Sequence, residues 1–478
     1  MLKDKLKQLL GEPKDLAQAK QVIDLLLDMV EAQQEQLDAL GDRRSSNSRN
    51  SSKPPSSDSP SDRKQRAKQK NGSGRKQGGQ PGHKGHHRAL HPESAVDRFH
   101  QWYPGSCLCG GEVMPSGKGP LRHQIIDLPE VRPLITEHCL HHGCCCRCGT
   151  PQYAQLPDSV SGSSFGPRLH ACVALLNGQF HLSDRQIREY LQIFHELRVS
   201  LGSVSNMQGR ITPWLWPLAQ EVRDYLRKLP WVHADETTHW HKQEQRWMWV
   251  LAAPQAAYFQ THYSRGKLAA DNLLGEDFQV ILVSDRHGAY KTVPAERRQF
   301  CIPHLIRNFK KMVQRRGIDG HMGKKIVKSL QLLIRIDHRR QQGLAESHFR
   351  RRCCKVREQL VGHLQRGMEV CRKKSRNQCE KLLKDIGCLF TFIRHPGLPL
   401  TNNEAERAIR PYVIWRKTSF ATQSARGDRF RAHILTVVET CKRQGLSALR
   451  ILRDTCWQGL TGQPITTSVL AGKAVMAA

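Results

Sequence analysis

Near the N-terminus, apolar residues recur every seven positions: Leu16, Ile23, Val30 and Leu37 share one row, and Leu26 and Leu40 lie on its companion. That spacing is the seam of a coiled coil. It predicts a coiled-coil-like helix over 1–41 that stops by Gly41. Ala19 and Gln33 dilute the companion row, so the stripe serves either self-association or packing on the chain's own body.

The patterning then disappears. Residues 43–87 are Ser, Asn, Pro, Gly, Lys and Arg with almost no apolar side chains, too little buried surface to offset the entropy of ordering. A disordered basic linker is expected over 42–95. Helical periodicity returns with Leu169, Val173 and Leu176, and Ser183-Asp-Arg-Gln186 reads as a capping box opening a second helix. Ser200-Leu-Gly-Ser203 reads as a turn before a third, short polar helix carrying Ser205, Asn206, Gln208 and Arg210. Residues 159–228 thus resemble a helix-turn-helix reading the major groove, the bland alternative being a helical hairpin that only packs.

After Pro230 the texture is that of strands: Trp231-Val-His-Ala-Asp235, Arg246 to Ala253, and Tyr258 to Tyr263. A helix near Lys267 to Leu274 follows, then an apolar run, Gln279-Val-Ile-Leu-Val-Ser-Asp285, ending in a carboxylate. Strands, helix and strand predict an α/β core. From Phe309 to Arg394 the chain is rich in Lys, Arg and Leu, which predicts a helical insertion over 309–395 between core segments 229–308 and 396–445. A closing helix is expected from Asp428, with 446–478 as a C-terminal tail.

The 478 residues carry 75 Lys and Arg against 43 Asp and Glu, a formal net charge of +32. Such an excess calls for a polyanion. No run approaches the roughly 18 apolar residues of a membrane span, and Met1 to Leu10 mixes Lys and Asp with Leu, unlike a signal peptide. DNA is therefore the expected partner, no membrane is expected, and the location is read as cytoplasmic, associated with the nucleoid. In the linker, Arg63, Lys64, Arg66, Lys68, Lys70, Arg75 and Lys76 suit a phosphate backbone.

Among the 16 cysteines, Cys107-Leu-Cys109-Gly and Cys145-Cys-Arg-Cys148-Gly each set two thiols before a glycine that permits a tight knuckle. Four thiolates satisfy tetrahedral Zn²⁺. A zinc-binding module is expected over 96–158, with structural Zn²⁺ on Cys107, Cys109, Cys145 and Cys148; Cys144, Cys146, His141 and His142 adjoin them and leave the assignment open.

Asp235 and Asp285 read as strand-end carboxylates, the hard oxygen ligands that a phosphoryl-transfer site with two Mg²⁺ (or Mn²⁺) requires. Aspartate also ends strands as a turn former, so the pair is weak evidence alone. A third acid is offered by Leu398-Pro-Leu-Thr-Asn-Asn-Glu404-Ala-Glu406. Thr401 and Glu404 have the spacing of a capping box, which gives Glu404 a structural task and leaves Glu406 for metal.

Three segments together carry a resemblance: His233-Ala-Asp235-Glu-Thr, Ser284-Asp285-Arg-His-Gly-Ala-Tyr290 and Thr401-Asn-Asn-Glu-Ala-Glu406-Arg-Ala-Ile-Arg-Pro411. They resemble the acidic motifs of the insertion-sequence family sixty-six transposases. Asn47 to Asp58, Gly79-Gln-Pro-Gly-His83 and the cysteine segment resemble that family's linker and zinc region, so the likeness runs along nearly the whole chain. Arg286 and His287 depart from the second motif, where a glycine and an aromatic are expected, and the first cysteine pair is shortened.

The resemblance implies an α/β RNase H-like catalytic core with a helical insertion, preceded by the N-terminal helix, linker, zinc module and helical DNA-binding region. It implies a DDE triad of Asp235, Asp285 and Glu406, and a transposase that cleaves insertion-sequence ends and transfers them to target DNA. Its partners are then the terminal inverted repeats, target DNA, further copies of itself in a transpososome and accessory proteins of the same element. Cys301-Ile-Pro-His304 resembles a Cys-x-x-His element of several DDE groups, which implies a supporting role for His304. Arg407, Arg410, Arg416 and Lys417, beside the third acid, are placed for DNA phosphates. The rival readings are a non-catalytic DNA-binding regulator and a structure-selective nuclease with the same core.

Overall fold

The computed structural model describes residues 88–470, apart from 106, 115, 116 and 118, and a few isolated positions upstream. The helix expected over 1–41 and the linker over 42–95 therefore lie largely outside the described residues. The chain divides into two compact units, Pro60–Pro133 and the remainder, Met1–Ser59 with Leu134–Ala478.

In the smaller unit, His91 and Gln124 exchange two hydrogen bonds: His91 N donates to Gln124 Oε1 at 2.8 Å, and Gln124 Nε2 donates to the His91 carbonyl at 3.0 Å. The larger unit opens with a short hairpin, β1 (His142–Cys144) and β2 (Pro151–Tyr153). Helices α1 (Pro167–Gly178), α2 (Asp184–His195) and α3 (Leu201–Leu226) follow. Pro167 starts α1, where its missing N–H costs nothing, and the capping box Ser183–Gln186 is present at α2.

Helix α3 is not the short polar helix expected. It runs 26 residues, and Val204, Met207, Ile211, Leu215, Leu218 and Val222 form one buried stripe. That stripe carries it past the turn region and into the core, so its length is set by packing rather than by its polar N-terminal composition.

The sheet has the order β5-β4-β3-β6-β7, with β3 at Trp231–His241, β4 at Glu244–Ala253, β5 at Ala256–His262, β6 at Ile281–Ser284 and β7 at Arg298–Phe300. Strands β3, β4 and β5 form an antiparallel meander, while β6 pairs parallel to both β3 and β7. Between β5 and β6 lies α4 (Lys267–Leu274).

Alternation along β6 divides its side chains between two cores. Leu282 joins α3, α4 and the meander, whereas Ile281 and Val283 join the cluster of the helical insertion. That insertion comprises α5 (Ile302–Val313), α6 (Ile318–Gln341), α7 (Glu346–Val370) and α8 (Lys373–Lys384).

The chain returns as α9 (Asn403–Thr418) and α10 (Ala425–Gln444). Helix α10 covers the free edge of the sheet: Phe259 N and Ala257 N on β5 donate to the hydroxyls of Thr436 and Thr440 at 2.9 and 3.2 Å. An edge so capped is closed to further strands. Residues 446–478 are not a plain tail. They include α11 (Ala448–Leu460), which buries Leu452 and Cys456, and a Cβ at Gly459 would stand 2.2 Å from the Trp214 ring on α3.

Candidate active site

The parallel pairing of β3 with β6 builds the site. His233 is in register with Val283, so Asp235 and Asp285, each two residues further along, leave the pair side by side. Asp285 follows the last residue of β6, as expected. Asp235 does not end its strand: β3 continues to His241, paired there with β4 and no longer with β6. The sheet parts where the two acids meet.

Burial lifts both carboxyl groups above the usual carboxylate range, and neighbouring acids lift them further. On Asp235 the charges of Glu236, Asp285 and Glu406 follow burial in size, and only the Glu236 N–H, 2.9 Å from Oδ1, works the other way among the strongest influences. Asp285 is raised by burial and Glu236, against the His287 N–H at 2.9 Å from Oδ1 and the charges of His304 and His287.

Glu236, the residue after Asp235, is a further member of the site that the sequence reading missed. Its nearly buried carboxylate accepts from Arg265 Nη2 at 2.8 Å and from Tyr290 Oη at 2.7 Å. Tyr290 sits in the 3₁₀ turn Gly288–Thr292 just after Asp285, so Glu236 ties the two acidic segments together. The available signal was a second carboxylate directly after Asp235 in the same strand.

Glu406 lies in the first turns of α9. The capping box read from Thr401 and Glu404 does not form: the N-cap is Asn402, without a side-chain capping bond. The reason is tertiary. Asn402 is fully buried and uses its amide across the fold, donating from Nδ2 to the Ala234 carbonyl at 2.8 Å with Oδ1 3.2 Å from His233 Nδ1. This pins the start of α9 to β3 beside Asp235. Glu404 instead pairs with Arg407.

The Glu406 carboxylate points toward α5, with Oε1 3.5 Å from His304 Nδ1 and 3.6 Å from Arg307 Nη2. Burial, then the Arg307 charge, pull His304 down to about 4. Among the described residues, Cys301, His304 and Glu406 are the one group of three whose ligand atoms all lie within 4.8 Å of one another. The three acids do not form such a set, although Asp285 and Glu406 are both close enough to act on Asp235.

Of the side chains expected on DNA, Arg407, Arg410, Lys417, Asn206 and Arg210 are exposed. Arg416 donates to Thr238 Oγ1. Three of the four expected on the helix-turn-helix have internal partners: Ser205 accepts from Arg426 at 3.1 Å, Gln208 donates to Asp184 at 2.9 Å, and Arg210 donates to Ser163 at 2.8 Å.

Each cysteine pair forms a knuckle. Cys107 N donates to the Gly111 carbonyl and Gly110 N to the Cys107 carbonyl; Cys145 N donates to the Thr150 carbonyl and Gly149 N to the Cys145 carbonyl. Gly110 and Gly149 take φ of +84° and +69°, which a side chain would resist. Hydrogen bonds from Gly111 and Cys107 lower the Cys109 thiol, and those from Thr150 and Cys145 lower Cys148. The knuckles fall in different units.

A family model described as "Transposase IS66 family" matches residues 162–429, more than half of the chain and all three acids. The chain belongs to the IS66 family of transposases. A second model, for a family of unknown function (DUF6444), matches residues 7–89. Three uncharacterized proteins of Sinorhizobium fredii (strain NBRC 101917 / NGR234) are similar. The protein y4jO is 36% identical over 88 residues, 18% of this chain and 27% of the relative. The protein y4qI is 24% identical over 309 residues, 58% and 56% respectively, and y4jD is 23% identical over 304 residues, 57% and 58%. The chain thus spans from about a quarter to just over half of these relatives. No helix among the described residues is long and apolar enough to cross a membrane.

Proposed function

We propose that this IS66-family chain is a DDE transposase whose RNase H-like core uses Asp235, Asp285 and Glu406 to hold two Mg²⁺ or Mn²⁺ ions, cleaves insertion-sequence ends and joins them to target DNA. The observation that carries this reading is the register of β3 and β6, which sets Asp235 beside Asp285, with Glu406 close enough on α9 to act on Asp235. A mixed sheet with an antiparallel meander on one side and parallel strands on the other, acids at the junction, supports the RNase H-like assignment.

The residues fit divalent cations. Asp235 is buried among carboxylates that hold it above its ordinary range, a repulsion that hard cations relieve. Held by these carboxylates, the ions would supply activation of a water or a 3′-hydroxyl and stabilisation of the leaving oxygen. The protein's own part is positioning. Glu236 and Tyr290 fix the Asp285 turn, Asn402 fixes the start of α9, and Arg410 and Lys417 offer exposed charges to phosphates beside it.

The sequence spacing of the two thiol pairs supports a structural Zn²⁺ on Cys107, Cys109, Cys145 and Cys148. Exposed Asn206 on α3 and the basic linker would add contacts to the terminal repeats, in a multimeric transpososome with accessory proteins of the element, in the cytoplasm at the nucleoid. Purified protein incubated with Mg²⁺, labelled element ends and target DNA should yield joined product. Cleaved ends without joining would indicate a nuclease, and neither product would indicate a DNA-binding regulator.

A further inference from the structure

Cys301 is the N-cap of α5 and His304 lies in its first turn, a spacing of three that sets both side chains on one helix face. The cysteine is held on both sides: its N–H donates to the Ser284 carbonyl at 2.9 Å, and its Sγ accepts the Asn402 N–H at 3.2 Å. His304 Nδ1 is buried without a hydrogen-bond partner and faces Glu406 Oε1 at 3.5 Å. Buried polar atoms are rarely left unpaired, and this one is aimed at a carboxylate oxygen within the three-ligand group.

A thiol, an imidazole and a carboxylate are not the donors Mg²⁺ selects, since it prefers oxygen alone. They match Zn²⁺, which takes sulfur, nitrogen and oxygen together and accepts three protein ligands with a fourth position open. We propose that Cys301, His304 and Glu406 form a site for a thiophilic divalent cation, Zn²⁺ foremost, and that filling it holds Glu406 away from Asp235 and Asp285, shutting off the Mg²⁺-dependent reaction. As the metal–sulfur bond forms, the thiol proton passes to solvent, and nothing is oxidised or reduced. Arg307 lies 3.6 Å from the same Glu406 oxygen and must yield to the cation, which suits a reversible regulator better than a permanent structural ion. The switch rests on the DDE reading; the cation site does not.

Co²⁺ serves as the probe, titrated into full-length wild type and Cys301→Ser in parallel so that the knuckle thiolates contribute equally to both. The wild type should show an additional thiolate-to-cobalt charge-transfer band that Cys301→Ser lacks; identical spectra would overturn the site. If Cys301→Ser does not fold, His304→Asn should bind the corresponding Co²⁺ at least roughly tenfold more weakly, and undiminished binding would overturn the site equally. In strand transfer at fixed Mg²⁺, added Zn²⁺ should inhibit the wild type, with half-inhibition moved up by roughly tenfold or more in Cys301→Ser. Equal inhibition of both overturns the switch. A wild type inactive in every Mg²⁺ condition overturns the switch together with the DDE reading, while the cobalt comparison still decides the site.

Discussion

The Asn402 amide reaches from the start of α9 to the backbone of β3, donating to the Ala234 carbonyl at 2.8 Å. This bond joins the helix of the third acid to the strand of the first. Because Asn402 is the N-cap, Glu404 and Glu406 point in different directions: the former pairs with Arg407 on the helix surface, the latter faces the acids and His304.

Glu406→Gln removes one charge from that cluster without altering side-chain size. Cleavage and joining should fall by on the order of a hundred- to a thousandfold, with folding and end binding intact. Glu404→Gln loses only a surface ion pair and should change stability by less than about 1 kcal/mol. Strand transfer by the two folded variants at equal Mg²⁺ decides between them. An active Glu406→Gln beside a dead Glu404→Gln would transfer the metal-binding role to Glu404.

The raised Asp235 and Asp285 have a thermodynamic signature. A carboxyl whose folded pKa lies above its unfolded value binds extra protons in the folded state, so the metal-free protein should lose stability as pH rises above the ordinary carboxylate range. Divalent cations should restore it. Mg²⁺ should therefore raise Tm more at neutral than at acidic pH, and Asp235→Asn should shrink the difference. A Mg²⁺ shift independent of pH would contradict a cation site on these acids.

A separate polar cluster closes the far end of β3. His239 Nε2 donates to Asp428 Oδ1 at 2.8 Å, which leaves His239 Nδ1 to accept the Tyr412 hydroxyl. His241 and Arg246 approach the other Asp428 oxygen at 2.8 and 3.0 Å. Burial opposes the Asp428 charge, but hydrogen bonds from His239, Thr422 and His241 outweigh it and hold the carboxyl at about 2. A depressed acid contributes stability above its unfolded pKa that is lost as pH falls toward 2. Burial also lowers His239, so protonation of the unfolded chain below about 6.5 adds to the same acid sensitivity. Asp428→Asn should cost roughly 3–5 kcal/mol at neutral pH by leaving its partners unpaired and should flatten the acid limb of a stability profile, measured by denaturant unfolding.

The knuckles make a compositional claim. Full-length protein should carry about one Zn²⁺ per chain, and Cys145→Ser should release it and loosen residues 96–158, because structural zinc binding is coupled to folding. Metal analysis with limited proteolysis measures both. Unchanged zinc content in Cys145→Ser would assign the ligands to the neighbouring cysteines and histidines instead.

Periodicity was enough to place β3 to β6 and the helix after β5, since alternation and helical stripes report which face is buried whatever it is buried against, and residue types at their spacing located the capping box at Ser183. The order of the acidic motifs, as a resemblance, pointed to the family. Composition at a helix start, by contrast, misassigned α9: a capping box competes with any other use of the same side chains, and burial of Asn402 against β3 is a long-range event invisible to local spacing. Helix α3 ran on because its stripe meets the core, and α11 buries Leu452 and Cys456 with Gly459 against the Trp214 ring; both depend on neighbours distant in the chain. Asp235 shows the division most clearly. Its identity and strand were readable, but its place in mid-strand, beside Asp285 and tied through Glu236 to Tyr290, follows only from the register of parallel β3 and β6, and register is fixed by which cores the two faces of β6 must fill.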